Sequence, residues 1–352
     1  MAAVTLDSVT KRFGSSAAID DVSLAVAEGE FLAVLGPSGC GKSTLLRLIA
    51  GFEKPDKGTI RLGANVVSGP GIDIAPEDRH IGMVFQSYAL WPHMTVAENI
   101  SYPMRVRNAQ PSDVAREVGV ALAAVGMEGM GERRPAELSG GQRQRVALAR
   151  CLTMRARVVL LDEPLANLDA HLRARMLAEI ASFRSLSHAT LIYVTHDQAE
   201  AFAVADRVAV MEEGRVRQVA PPAVLYRTPS DSVVSRFAGG GAVVQGEITA
   251  TFGNGHATAA LFGKTWRVRA APAQAVGPAE ICIRPEDLRI VSDGSGFGAT
   301  VVRVLYQGGR TVIEATSPQG TTLSLSLSST DVPAPGTAVH LAVIDGWVIP
   351  QH

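Results

Sequence analysis

A chain of 352 residues, 47% of them hydrophobic, can bury cores for about two domains. Its 33 basic and 34 acidic residues divide as 26 against 26 up to Phe237 and 7 against 8 beyond it, so neither part has the positive excess that nucleic-acid binding requires. Three cysteines, Cys40, Cys151 and Cys282, at no metal-like spacing, speak against a disulfide framework and for a reducing cytoplasm.

In chain order, Glu30 through Leu35 reads as a buried strand and Lys42 through Ala50 as the helix it feeds. Residues 95–153 are mainly helical in character, with Ser112-Asp113 a cap before residues 114–125. Runs at 157–161 and 190–195 repeat the pattern of a β-rich stretch ending in polar residues. Between them Leu172, Met176, Ile180 and Phe183 recur at helical spacing on one face. This is the order of an α/β sheet with functional groups at the carboxyl ends of its strands. After Gly239-Gly240-Gly241 the composition changes: residues 321–327 alternate strictly, and 243–252, 264–269, 299–306 and 338–344 are further strand-like runs, which predicts a small β-barrel. The expected domains are 1–237, with a helical subdomain at about 95–153, and 238–352. No stretch reaches the ~18 apolar residues of a membrane span and the N-terminus has no apolar signal region, so a membrane role would come through partners.

Gly36-Pro37-Ser38-Gly39-Cys40-Gly41-Lys42-Ser43-Thr44 satisfies G-x-x-x-x-G-K-[ST] between a strand and a helix. Its glycines let backbone N–H groups close on phosphate oxygens, Lys42 reaches the β- and γ-phosphates of a nucleotide, and Ser43 offers a hydroxyl to Mg²⁺. Val158 to Leu161 ends in Asp162-Glu163, where Asp162 would hold Mg²⁺ and Glu163 would orient and deprotonate a water. His196, after the run at 190–195, fits a capping or packing role as well as a γ-phosphate donor. Gln86, after Met83-Val84-Phe85, stands at the end of a strand where glutamine is common, and also where a switch contacting Mg²⁺ or water would sit.

With Leu138-Ser139-Gly140-Gly141-Gln142 between the phosphate loop and Asp162, residues 4–237 resemble an ATP-binding-cassette (ABC) ATPase. The resemblance aligns Phe13 with the adenine platform, Gln86 with the Q-loop, LSGGQ with the signature, Asp162 and Glu163 with the Walker B pair, Ala166-Asn167-Leu168-Asp169 with the D-loop and His196 with the H-loop. It departs at Ala166, where Ser is frequent, and at Phe13, where Tyr or Trp is usual. The family expectation is an α/β P-loop cassette with a helical signature subdomain and a C-terminal barrel of the TOBE type, which residues Arg284-Pro285-Glu286-Asp287-Leu288 resemble. The resemblance implies ATP and Mg²⁺ as cofactors. It also implies a homodimer in which Ser139, Gly140, Gly141 and Gln142 face the ATP of the other copy near Asp169.

The segment from Ser87 to Ile100 resembles the region that, in binding-protein-dependent importers, receives a permease helix; its aromatics would equally suit a core. The importer reading implies two permease subunits, an extracytoplasmic binding protein and the cytoplasmic face of the inner membrane. For cargo, local similarity at 90–96 and 199–205 leans to ferric iron or phosphonate over sugar, polyamine or sulfate. Against a soluble ATPase of DNA repair, only 51 residues separate Gln86 from Leu138, too few for a long coiled coil; against a translation factor, there is one P-loop.

Overall fold

The computed structural model describes residues 2–166, 169–292, 294–327 and 332–351. It divides into two compact units, 1–222 and 223–352.

The first unit holds two sheets and a helical layer. Strands β1 (Ala2–Phe13), β2 (Ser16–Ala27), β4 (Lys57–Leu62), β5 (Asn65–Gly69) and β6 (Ile72–Asp73) form an antiparallel sheet in the order β2-β1-β4-β5-β6. The second sheet runs β11-β10-β3-β9-β8-β7, from β3 (Phe31–Leu35), β7 (Ile81–Val84), β8 (Val158–Asp162), β9 (Thr190–Thr195), β10 (Arg207–Glu212) and β11 (Arg215–Ala220). Neighbours from β10 to β7 are parallel and only β11 is antiparallel. Strands β3 and β9 are buried along their whole length, as their continuous apolar runs demand in a sheet covered on both faces. Helix α1 (Lys42–Ala50) follows β3 directly and buries Leu45, Leu46, Leu48 and Ile49 in the core between the sheets.

Helices α2 (Val96–Val106), α3 (Pro111–Ala124) and α4 (Gly140–Met154) make a separate core around Val96, Ile100, Leu122 and Val146. This is the expected helical segment, with one difference: α3 starts at Pro111, not after Ser112-Asp113. Proline's fixed φ and missing N–H suit the first helical position, so it displaces the polar cap. Helices α5 (Ala170–Ser187) and α6 (Gln198–Val204) connect β8 to β9 and β9 to β10.

The second unit begins one residue into the short helix α7 (Pro222–Arg227) and continues with α8 (Ser232–Phe237). The expected domain limit at Phe237 therefore falls inside it. Arg284 explains why: its Nε and Nη2 donate to Tyr226 O at 3.1 and 2.7 Å and its Nη1 to Ser235 O at 2.8 Å, clamping both helices to the strands that follow. Strands β12 (Ala242–Thr251), β13 (His256–Leu261), β14 (Lys264–Arg269), β15 (Gly277–Ile283) and β21 (Trp347–Val348) close a barrel. Strands β16 (Leu288–Val291), β17 (Phe297–Tyr306), β18 (Thr311–Thr316), β19 (Thr322–Leu327) and β20 (Ala338–Val343) form a second antiparallel sheet, so the expected strands at 299–306, 321–327 and 338–344 are present but lie beside the closed barrel. One hydrophobic core, from Val244 to Val348, serves both.

Candidate nucleotide site

Four adjacent parallel strands, β3, β9, β8 and β7, deliver the phosphate loop, His196, the Asp162-Glu163 pair and Gln86 to the same carboxyl edge of the sheet. That is where an open α/β sheet holds its ligands.

The phosphate loop is shaped by glycine where nothing else fits. A Cβ on Gly36 would stand 2.2 Å from Met211 O, and one on Gly41, at φ 107°, 2.2 Å from Ala18 O. Cys40 N closes the turn on Pro37 O at 3.3 Å, and Ser38 and Gly39 form the exposed crown. Lys42 is buried; its Nζ donates to Gly36 O at 2.8 Å and Pro37 O at 2.9 Å, so the cation is already held beneath the loop. Ser43 and Thr44 lie in the first turn of α1, whose N-terminus carries the free N–H groups and partial positive charge that favour an anion.

Ser43 Oγ donates to Asp162 Oδ1 at 2.9 Å, which joins the loop to the end of β8. Burial pushes the Asp162 carboxyl above its ordinary range, opposed by the Ser43 hydrogen bond and reinforced by the Glu163 charge. A hydroxyl and a carboxylate in contact are the hard oxygen donors that Mg²⁺ takes. Among the described residues no cluster of three His, Cys, Asp or Glu side chains that could hold a metal ion occurs.

Glu163 is turned out of the strand by a left-handed backbone, φ 43°, while its N–H still donates to Val194 O at 3.0 Å. Its Oε2 lies 3.4 Å from His196 Nδ1, with the imidazole 58% exposed. The structure thus brings these two expected residues together. The cap of α6 is Asp197, whose Oδ1 accepts from Ala199 N and Glu200 N, and that leaves His196 without the capping role. Gln86 is exposed in the turn after β7.

Phe13 ends β1 opposite Ser16 and is 50% exposed, outside any core, with Lys11 Nζ 5.1 Å from its ring centre. Asp169 caps α5 by accepting Leu172 N at 2.9 Å. Ala166 N donates to Glu163 O at 3.3 Å, while Asn167 and Leu168 lie outside the described residues.

The signature residues occupy the N-terminus of α4. Ser139 Oγ accepts from Gln142 N at 3.3 Å and Gln142 Oε1 from Ser139 N at 2.9 Å, a reciprocal capping box. Gly140 and Gly141 form the first turn, and a Cβ on Gly141 would stand 3.3 Å from Leu172. Helix α4 packs in the core it shares with α2 and α3, and α1 in the core between the sheets, and among the described residues no hydrogen bond links 138–142 with 36–44 of the same chain.

The sequence offered no sign of Arg150. On α4, it donates to Ala89 O at 2.9 Å and Tyr88 O at 3.3 Å, and its guanidinium lies 5.1 Å over Trp91. It ties the signature helix to the segment after Gln86, where Tyr88 and Ala89 are left-handed at φ 63° and 45°. Its acceptors are main-chain carbonyls, which no side-chain pattern announces. Trp91 also packs against Tyr102 in a tilted pair, ring centres 4.2 Å apart, and Asn99 Oδ1 accepts from Trp91 N, so these aromatics are fastened to the subdomain.

The fold and the phosphate loop define a P-loop ATPase cassette. Residues 19–166 match the family described as ABC transporter, and residues 281–348 match the TOBE domain. The spermidine/putrescine import ATP-binding protein PotA of Rubrobacter xylanophilus is 44% identical over 323 residues, 90% of this chain and 84% of that protein. The Fe(3+) ions import ATP-binding protein FbpC of Brucella abortus is 43% identical over 318 residues, 90% of this chain and 88% of that one. Among solved structures, the dimeric post-hydrolysis state of the ATP-binding cassette MJ0796 with ADP and Pi superposes with a TM-score of 0.56 at 30% identity, over 62% of this chain and 98% of that one. The chain belongs to the ABC transporter ATP-binding family, as an import ATPase with a C-terminal TOBE domain.

Proposed function

We propose that this chain is the ATP-hydrolysing subunit of a binding-protein-dependent importer. It works as a homodimer beneath two permease subunits at the cytoplasmic face of the cell membrane, with a cation as cargo. The observation that carries the reading is the convergence of Lys42, Ser43, Asp162, Glu163 and His196 on one sheet edge, with the signature on a helix of a separate core. The separation supports a second copy, as does the dimeric state of the MJ0796 cassette. Among the described residues no helix is long and apolar enough to cross a membrane; in this reading the energy passes to the permease partners. The relatives support this class of cargo: PotA is a spermidine/putrescine import ATP-binding protein, FbpC an Fe(3+) ions import ATP-binding protein, and identity to the two is nearly equal. The expected lean to ferric iron or phosphonate thus meets an equal claim from polyamines, and of these ferric iron and the polyamines are cations.

In this reading the loop from Gly36 to Thr44 wraps the phosphates, Lys42 leaves its carbonyl partners for the β- and γ-phosphates, and Phe13 carries the adenine. Mg²⁺ would be held by Ser43 and Asp162, with Gln86 as a further oxygen donor, and supplies charge neutralisation on those phosphates. Glu163 takes the proton of the attacking water, and His196 donates to the γ-phosphate. Ser139, Gly140, Gly141 and Gln142 present their helix end to the ATP of the other copy, beside Asp169. The test is recovery of the tagged Glu163→Gln chain with ATP from detergent-solubilised membranes. A co-purifying multi-span permease is expected; recovery of soluble chain alone, or of ribosomes or DNA-processing proteins, would overturn the reading.

A further inference from the structure

Behind the His196–Glu163 pair lies a buried carboxylate that the reading above does not use. Glu200, in the first turn of α6, is 5% exposed. Its Oε2 accepts the Tyr193 hydroxyl at 2.5 Å and the Thr195 hydroxyl at 2.7 Å, both from β9. Its Oε1 stands 3.3 Å from Nε of Arg173, a charge contact, while Nη1 of the same guanidinium donates to Asp197 Oδ2 at 3.3 Å. Asp197 N in turn donates to Thr195 Oγ1 at 3.0 Å.

The consequence falls on the residue between Thr195 and Asp197. Both neighbours of His196 are fixed by a single polar network, although the imidazole itself is exposed. The cation that closes the network belongs to another element. Arg173 lies in the first turn of α5, its N–H donating to the carbonyl of the cap Asp169 at 2.8 Å. Burial and the Glu200 charge push the Tyr193 hydroxyl far above its ordinary pKa, so it remains a donor at every working pH. A buried ion pair is a weak device for stability alone, since well-packed apolar side chains usually do as well. Here each partner instead reaches a segment that carries a functional residue.

We propose that Glu200 and Arg173 are positioning residues, which fix His196 against the γ-phosphate and tie its backbone to the first turn of α5. This rests on the reading of His196 as a γ-phosphate donor. A displacement of that turn, on which Asp169 sits, moves the histidine with it, and a small misplacement of a reacting group costs turnover without costing substrate affinity.

The test uses the full chain, with steady-state ATPase kinetics, equilibrium binding of a fluorescent ATP analogue and thermal melting measured on each variant. Glu200→Gln keeps the shape and the hydroxyl partners but removes the charge facing Arg173. The expected result is kcat down about tenfold or more with ATP affinity within about twofold. The Glu200→Gln/Arg173→Met pair removes both charges and leaves neither buried alone, so its melting temperature returns toward wild type while kcat stays low. Wild-type kcat in Glu200→Gln overturns the proposal, and so does recovery of kcat together with stability in the double variant, because the pair would then serve the fold only. His196→Ala separates the two levels: if it retains wild-type turnover, the reading of His196 itself has failed. If it is inactive while Glu200→Gln is normal, only the positioning role has failed.

Discussion

Glu163 and Asp162 are neighbours in sequence with different surroundings, and the backbone makes the difference. Asp162 ends β8 in the regular register, opposite Val194, and meets the Ser43 hydroxyl. At Glu163 the chain turns left-handed, a conformation that costs a non-glycine residue of order 1 kcal/mol and recurs at functional positions. The turn swings the carboxylate to His196 while Glu163 N stays bonded to β9. Glu163→Gln keeps this geometry and loses only the proposed base. It should bind ATP as the wild type does, yet hydrolyse it about 10²- to 10⁴-fold more slowly, measured as phosphate release at saturating ATP. Near-normal release would mean that another group activates the water. Lys42→Ala should fail one step earlier, in equilibrium ATP binding, because it removes the charge proposed to meet the β- and γ-phosphates and frees the Gly36 and Pro37 carbonyls it now holds.

At the scale of elements, two buried arginines hold segments together by collecting main-chain carbonyls. Arg79 donates from Nε to Ile74 O and from Nη1 to Leu48 O and Ile49 O, at 2.8 to 3.0 Å, and from Nη2 to Val67 O at 3.3 Å. It thereby anchors the last turn of α1, the helix that starts at Lys42, to β5. Gly51 completes the joint: at φ 89° it ends α1, and a Cβ there would stand 2.5 Å from Arg79 Nε. Arg79→Met should cost about 3 kcal/mol or more in urea unfolding, since it leaves these buried carbonyls unpaired. Arg284 does the same for α7 and α8, with its guanidinium 4.4 Å over the Tyr226 ring. Arg284→Met should raise amide hydrogen exchange selectively across residues 223–238; unchanged protection there would show that other packing holds the two helices.

These clamps mark where the sequence stops being readable. The phosphate loop, the Asp162-Glu163 strand end and the signature were legible because each is contiguous and its chemistry lies in side chains of fixed spacing. The clamping roles of Arg79, Arg150 and Arg284 were not, because their partners are carbonyls of distant segments, identical in every residue type. The antiparallel sheet from β1 to β6 escaped for a related reason: its strand register slips at several points, between Leu6 and Val9 for one, and the slips break the period-two alternation that reveals a strand. In the second unit the strictly alternating β19 stood out, whereas short β16 and β21 carry too few residues for a pattern.

At the scale of the whole molecule, the separation of phosphate loop and signature within one chain has a consequence that mixing experiments can read. If each ATP lies between the loop of one copy and the signature of the other, lesions in the two segments combine by position. Gly140→Asp places a carboxylate on the N-terminus of α4, where it competes with the γ-phosphate for the same N–H groups and repels it. Alone, this variant should bind ATP in an open site with normal affinity and retain none on closure. Let every chain also carry Glu163→Gln, so that closed sites do not turn over. A chain with Lys42→Ala paired with a chain with Gly140→Asp then has one intact composite site, because the two lesions fall in the same site. A chain carrying both lesions, paired with one carrying neither, has none, because each lesion disables a different site. ATP retained after rapid desalting should therefore be found in the first mixed dimer and be absent from the second. Equal retention in both would place each nucleotide within a single chain and remove the signature from the site.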